Sequence, residues 1–424
     1  MNEQVLKEVS QNLKISLKQV NTVLDLLDEG NTIPFIARYR KEATGGLDEE
    51  QINSIYKEWE YANNLFTRKE DVIRLIDERG MLTPELKAEI LKAEKLVDVE
   101  DLYRPFKEKR KTKATEAIAK GLQPFADWML TFPETSVLEE AKKYLTPTEE
   151  EEAKRVNTVE EAIEGAKFII AEAVSDEAEY RKDLRQMLKD NGEIVSTKRK
   201  DAIDEREVYK IYYEYSEPVS KIKPHRTLAI NRAEKEKVIS VKVDIDRDMM
   251  INYLERKVIT NQKSTATPYI KQAIDDSLKR LIFPSIEREI RAELTEVGEE
   301  QAIEIFSLNL HNLLLQPPLQ GRVILGVDPA FRTGCKLAVV DKQGKVLEVD
   351  TIYPHLFGET RRNEAARRVF QLVSKYKVEL IAIGNGTASR ETEEFIAEVI
   401  KNTNLKAQYV IVKEAGASVY SASD

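Results

Sequence analysis

Apolar positions recur along this chain with two different periods, and the change of period marks where its architecture changes. Up to about Asn191 they step by threes and fours, the spacing of one helix face. Ser16 is placed to cap a helix carrying Val20, Val23, Leu24 and Leu27, and Gly30 is placed to stop it. Pro34 sits where a first helical turn accepts proline, in the run Asn31 to Arg40. A helix-turn-helix and a small helical cap both fit these short elements. The spacing predicts a long helix over 48–79, with Ile52, Ile55, Trp59, Ala62, Phe66, Ile73 and Ile76 on one seam that needs a partner helix. Gly80 ends it, and Thr83-Pro84-Glu85 begins another. A helix is expected from near Thr115, then further short helices broken by Gly121, Pro124, Pro133 and Pro147.

Glu193 to Thr197 and Lys237 to Asp246 read as strands, and Pro224 opens a helix between them. Two helices meeting at Phe283-Pro284 fill Thr267 to Gln316, and Pro317-Pro318 before Gly321 reads as a linker. Beyond it the pattern turns to strands. Val323 to Val327 closes on Asp328, Leu337 to Val340 follows a turn at Gly334, and Lys345 to Tyr353 adds a third run. These three make an antiparallel meander. A helix over Gly358 to Tyr376, a strand over Glu379 to Gly384, a helix over Arg390 to Ile400 and a strand over Gln408 to Lys413 then build two crossover units. The expected architecture is mainly α and multi-domain: a helical domain over 1–190, a central mostly helical domain with short strands over 191–320, and an α/β domain with a mixed five-stranded sheet over 321–424.

Composition narrows the function classes. One cysteine, Cys335, excludes a disulfide framework or a cysteine-rich metal site, and suits a reducing cytoplasm. Three scattered histidines, His225, His311 and His355, argue against a histidine-built metal site. No apolar run reaches membrane-spanning length, so no membrane partner is expected. The net charge of −9 is uneven: residues from Gly321 onward carry +2 and the preceding 320 carry −11. Binding of nucleic acid by the whole surface is disfavoured, while local basic patches remain available.

Two such patches stand out. Arg104, Lys107, Lys109, Arg110, Lys111 and Lys113 fall within ten residues, and Arg361, Arg362, Arg367 and Arg368 lie on the helix over Gly358 to Tyr376. Both could hold phosphates, and both could be solvated faces. The turn Gly384 to Arg390 would present backbone N–H groups to an anion, but it has neither the P-loop lysine nor a dinucleotide spacing; a tight turn that needs glycine explains it as well.

The order of elements, with an acid closing the first strand in Gly326-Val327-Asp328-Pro329, resembles the RNase H-like fold and within it the YqgF, or RuvC-like, branch. That resemblance implies a site of three or four carboxylates around two divalent cations at the carboxyl edge of the sheet. Here Asp328 and Glu414 are placed on that edge, and Asn385 stands where a third acid is expected. Asp341 closes an antiparallel strand and falls on the opposite edge. Two carboxylates are a short ligand set, so Asp328, Asn385 and Glu414 are read as remnants, with no metal or other cofactor expected. Mg²⁺ or Mn²⁺ enters only under the alternative of a metal-dependent nuclease or resolvase.

NTIPFIARYRKEATGGLDE, DLYRPFKEKRKTKATEAIAKGL, HRTLAINRAEKE and GVDPAFRTGCKLAVVD occur in this order. Together they resemble the bacterial Tex family of transcription accessory proteins over the whole chain. The resemblance implies a helical assembly, a catalytically degenerate YqgF-like domain, and further helix-hairpin-helix and RNA-binding domains beyond residue 424. It also implies RNA, and DNA as a second candidate, as ligand, and transcription machinery or ribosome-associated proteins as partners, with no small-molecule substrate. A pure protein-interaction module is the remaining alternative.

Overall fold

A computed structural model describes residues 2–108, 111–146, 154–315, 319–356 and 358–417. The chain divides into two units, Met1–Gly298 and Glu299–Asp424.

In the first unit, α1 (Glu3–Leu13), α2 (Leu17–Asp28) and α3 (Ile33–Tyr39) pack on α5 (Glu49–Asp77), with α4 (Lys41–Thr44) against α2 and α3. The Ser16 hydroxyl accepts from the Gln19 N–H and so begins α2 as expected. Asp48 and Gln51 form a reciprocal capping box at the start of α5. The seam of α5 is split between two cores. Ile52, Ile55 and Ala62 join Val9, Val20, Val23 and Ile36. Leu65, Val72 and Ile76 join Ile90 of α6 (Pro84–Lys92) and Val99 of α7 (Leu96–Tyr103). The single partner helix expected for this seam is therefore replaced by five short helices. Trp59, Phe66 and Ile73 are only partly buried, because the covered line passes through Leu65 and Val72.

Downstream, α8 (Lys113–Ala119) begins two residues before Thr115, since the Thr112 hydroxyl accepts from the Thr115 N–H at 3.1 Å. It is followed by α9 (Gln123–Leu130), α10 (Val137–Ala141), α11 (Val159–Asp176) and α12 (Ala178–Asn191). The last two are longer than the short helices the sequence suggests. The strands β1 (Glu193–Lys198), β2 (Glu214–Pro218) and β3 (Ile239–Asp244) form an antiparallel sheet of order β2-β1-β3. The sequence does not announce β2. Next come α13 (Pro224–Lys235), α14 (Arg247–Val258), α15 (Thr267–Asp276) and α16 (Phe283–Leu314). A π-helical stretch, Ser277–Ile282, carries the chain from α15 into α16 past Pro284, which cannot donate an α-helical hydrogen bond. The two helices expected to meet at Phe283-Pro284 are thus one continuous rod, joined by a wide turn at Ser277–Ile282. A single core runs from Ala114 to Ile290, so the boundary expected at 190/191 is not a break in packing.

A buried ionic cluster ties this core to α7. Asp101 accepts from Arg181 and Arg185 of α12, each at 2.6 Å, and both arginines also reach Glu289 of α16, at 2.7 and 2.9 Å. Arg181 is fully buried.

The second unit holds β4 (Ile324–Asp328), β5 (Cys335–Val340), β6 (Val346–Ile352), α17 (Gly358–Tyr376), β7 (Leu380–Gly384), α18 (Ser389–Thr403) and β8 (Gln408–Val412). The sheet order is β6-β5-β4-β7-β8, with β4 antiparallel to β5 and parallel to β7. Leu325, Val327, Leu337, Ile381 and Ile383 face Val369 and Leu372 of α17 and Phe395 and Ile396 of α18 in one core. Cys335 is buried and unbridged. Pro317-Pro318, the expected linker, lies outside the described residues.

Candidate functional site

The carboxyl ends of β4, β7 and β8 open on one cleft of about 870 Å³, which Asp328, Lys336, Gly384, Val412 and Glu414 help to line. Parallel pairing of β4 with β7 and of β7 with β8 places these ends on a common edge. Asp341 lies away from it, as expected. It closes a turn by accepting from the Gln343 and Lys345 N–H groups, each at 2.9 Å.

Asp328, Asn385 and Glu414 are used in three different ways. Asp328 is 59% exposed, and its carboxylate meets the Lys336 ammonium from the facing position of β5 at 3.5 Å. Asn385 accepts the Glu414 N–H at 3.0 Å, so its amide braces the segment leaving β8. Glu414 folds back over the glycine-rich turn. A Cβ on Gly384 would overlap the Glu414 carboxylate, and one on Gly386 would stand 2.6 Å from its Oε2. Glycine is needed at both positions for close approach and not for a left-handed backbone; within the turn the left-handed residue is Ala388, with φ of 66°. The space over this turn is filled by the chain's own Glu414 carboxylate. Glu414 Oε1 is buried and has no hydrogen-bond partner among the described residues. No group of three histidine, cysteine or acidic side chains among the described residues is arranged to hold a metal ion. Among the described residues the edge offers two carboxylates, Asp328 and Glu414, where a two-cation centre needs three or more.

The expected phosphate-binding cations divide in the same way. Arg104 is drawn to Asp176 at 3.2 Å. Lys111 meets Glu116 at 3.3 Å but stays largely exposed, and Lys113 lies over the Phe168 ring at 4.6 Å. Lys107 is exposed, while Lys109 and Arg110 lie outside the described residues. On α17, Arg361 pairs with Glu364 at 3.3 Å, and Arg362 pairs with Glu398 at 2.6 Å. Arg368 is clamped between Glu348 and Asp350 of β6. Arg367 is exposed and has no ion pair among the described residues.

Glu348 anchors that clamp. Hydrogen bonds from Lys375, Tyr376 and Arg368 hold its carboxyl down at about 2, against an ordinary 4.5. A carboxyl depressed in the folded state stabilises above its unfolded pKa, and that contribution is lost as the pH falls through the folded value. Unfolding of the Glu348→Gln chain should therefore show less pH dependence than the parent between pH 4.5 and 2. Denaturant midpoints across that window, which should diverge most at its upper end, check this.

A five-stranded mixed sheet of this order, with its helices on one face and an acid closing the central strand, defines an RNase H-like α/β domain of the YqgF type, preceded by a helical assembly. Comparison with known families carries the assignment through the whole chain. Residues 3–77 match the Tex-like protein N-terminal domain, 133–306 the Tex central region-like domain and 322–424 the Tex protein YqgF-like domain. The chain belongs to the Tex family. It is 53% identical over 426 residues to the Bacillus subtilis protein YdcI, covering 100% of this chain and 58% of YdcI. It is 35% identical to the transcriptional accessory protein Tex of Neisseria gonorrhoeae, covering 99% of this chain and 55% of that protein. The human S1 RNA-binding domain-containing protein 1 is 32% identical, over 100% of this chain and 43% of its own length. The chain thus spans about half the length of these relatives. Among the described residues, no helix is long and apolar enough to cross a membrane.

Proposed function

We propose that this chain is part of a cytoplasmic, non-catalytic scaffold that binds nucleic acid in transcription, with RNA as ligand of the whole protein. Its RNase H-like domain is a passive module that needs no cofactor, and its helical part offers surface to the transcription machinery or to ribosome-associated proteins. One observation carries the reading. Of the three positions where a hydrolytic relative would place acids, one is an acid paired with Lys336, one is an amide committed to a backbone N–H, and one is an acid folded over glycines. The names of the relatives, transcriptional accessory and S1 RNA-binding, support the transcription and RNA parts.

Binding of labelled RNA should weaken steeply between about 50 and 200 mM salt. Charge reversal at Lys107, Lys111 and Lys113 together should lower both the affinity and the salt slope, by about 0.7 for each phosphate of a single strand that is no longer neutralised. Fluorescence anisotropy across a salt series measures both. Binding that is absent, or indifferent to salt, would remove the reading.

A metal-dependent nuclease or resolvase is the second reading, and the buried unpartnered oxygen of Glu414 favours it, because a cation would satisfy that atom. Cleavage of branched DNA or RNA with Mg²⁺ or Mn²⁺, abolished by Asp328→Asn, would establish it.

A further inference from the structure

The outer surface of the segment Ile33 to Gly46 is used by none of the packing or the site described above. Proline at the second position of α3 fixes the entry to a seven-residue helix, which buries Ile36 and Ala37 against α5. The four-residue spacing then brings Phe35 and Tyr39 together on the outer side, with ring centroids 5.1 Å apart and the ring planes tilted by 44°. The Arg40 guanidinium lies over the Phe35 ring, 5.1 Å from its centroid. Tyr39 is 65% exposed, the most exposed aromatic side chain among the described residues. Burial does not explain an aromatic pair held in this position.

Charge separates this patch from the arginines weighed earlier, Arg367 excepted. Arg38, Arg40 and Lys41 are exposed and have no ion pair among the described residues. Glu42 is the sole acid between Ile33 and Gly46 in a chain whose net charge is −9. Arg104, Arg361, Arg362 and Arg368, in contrast, are each committed to a carboxylate of the chain. Cations free of carboxylates therefore gather beside the most exposed ring of the first unit.

We propose that the outer face of α3 and α4 is a stacking platform for single-stranded nucleic acid. An unpaired base would lie on Tyr39, in line with Phe35 and Arg40, and its flanking phosphates would meet Arg38 and Lys41. Rings supply the sequence-tolerant interaction and unpaired cations hold the backbone, the combination that single-strand binding requires. A duplex keeps its bases stacked inside and cannot use the ring. An apolar or acidic peptide would use the rings but leave the three cations without a role, or use the cations and leave the rings. The inference rests on the nucleic-acid reading above and assigns it a location.

The test is anisotropy of a fluorescein-labelled single-stranded oligouridine RNA, and of an RNA duplex, with the 424-residue chain. Tyr39→Ala should weaken single-strand binding about tenfold, the worth of one stacked base. It should leave duplex binding and the salt slope unchanged, and Tyr39→Phe should restore affinity. Arg38→Gln with Lys41→Gln should lower the single-strand salt slope by about 1.4, because two phosphates are no longer neutralised. If the alanine chain melts early, Tyr39→Gln, which keeps helix propensity, repeats the measurement. RNA binding by the chain that Tyr39→Ala leaves unaltered overturns the platform and leaves the proposed function standing. No RNA binding by the 424-residue chain at any salt overturns the platform, and the reading above falls with it only if the whole protein also fails to bind RNA. Unaltered RNA binding together with abolished binding of a purified RNA polymerase subunit would make the face a protein dock and likewise overturn the platform.

Discussion

Asp101→Ala should destabilise the first unit by about 3–5 kcal/mol, the cost of removing one member of a buried charge cluster. Asp101 is 5% exposed and accepts from both Arg181 and Arg185. Without it, two guanidinium groups share Glu289, one of them fully buried, and the cluster goes from balance to an excess positive charge. The cluster joins α7, on the small core of α5 to α7, to α12 and α16 on the large core. The loss should therefore appear as an early transition in calorimetry, with the helices before α8 melting first. Replacing Asp101, Arg181, Arg185 and Glu289 together by apolar residues of similar volume should recover most of the stability, because desolvation of the charges is removed along with their attraction. If the single substitution costs less than about 1 kcal/mol, the cluster is open to water and the burial argument fails.

This cluster also shows where sequence stops being informative. Asp101 and Arg181 are eighty residues apart, and nothing in either helix marks one as the partner of the other. The RNase H-like domain was legible almost element by element, because its strands are short apolar runs bounded by turn residues and its helices have one clean apolar stripe. Of Ala365, Val369, Leu372 and Tyr376, which their spacing puts on the sheet side, the first three are buried there and Tyr376 is partly buried. The strand β2 was not legible, since Glu214-Tyr215-Ser216-Glu217-Pro218 is polar and gains its identity only by pairing with β1. The arginines of α17 look alike in sequence. That Arg368 is clamped, while Arg367 has no ion pair among the described residues, depends on β6 lying beside one and not the other, which is a fact of the sheet. Asn385 reads in the sequence as an amide at an expected acid position, but its task of holding the Glu414 N–H could be seen only once β8 was placed beside β7.

The second large effect is expected at Gly384. Alanine there should cost about 1–3 kcal/mol, the range for inserting a methyl group into a filled space. The added Cβ overlaps the Glu414 carboxylate, so that side chain must leave its cradle or the end of β8 must shift. Glu414→Gln should do the opposite. It keeps the shape and removes the charge from an oxygen that is buried without a partner, so in EDTA it should leave the melting temperature unchanged or raise it. Manganese then separates the two functional readings. If the cleft is passive, Mn²⁺ shifts neither the parent chain nor the Glu414→Gln chain in a thermal-shift assay. If it holds a cation, Mn²⁺ raises the parent's melting temperature by mass action and leaves Glu414→Gln and Asp328→Asn behind. The stability of a single carboxylate in and out of metal thus decides whether this sheet edge is the relic of a hydrolytic centre or a working one.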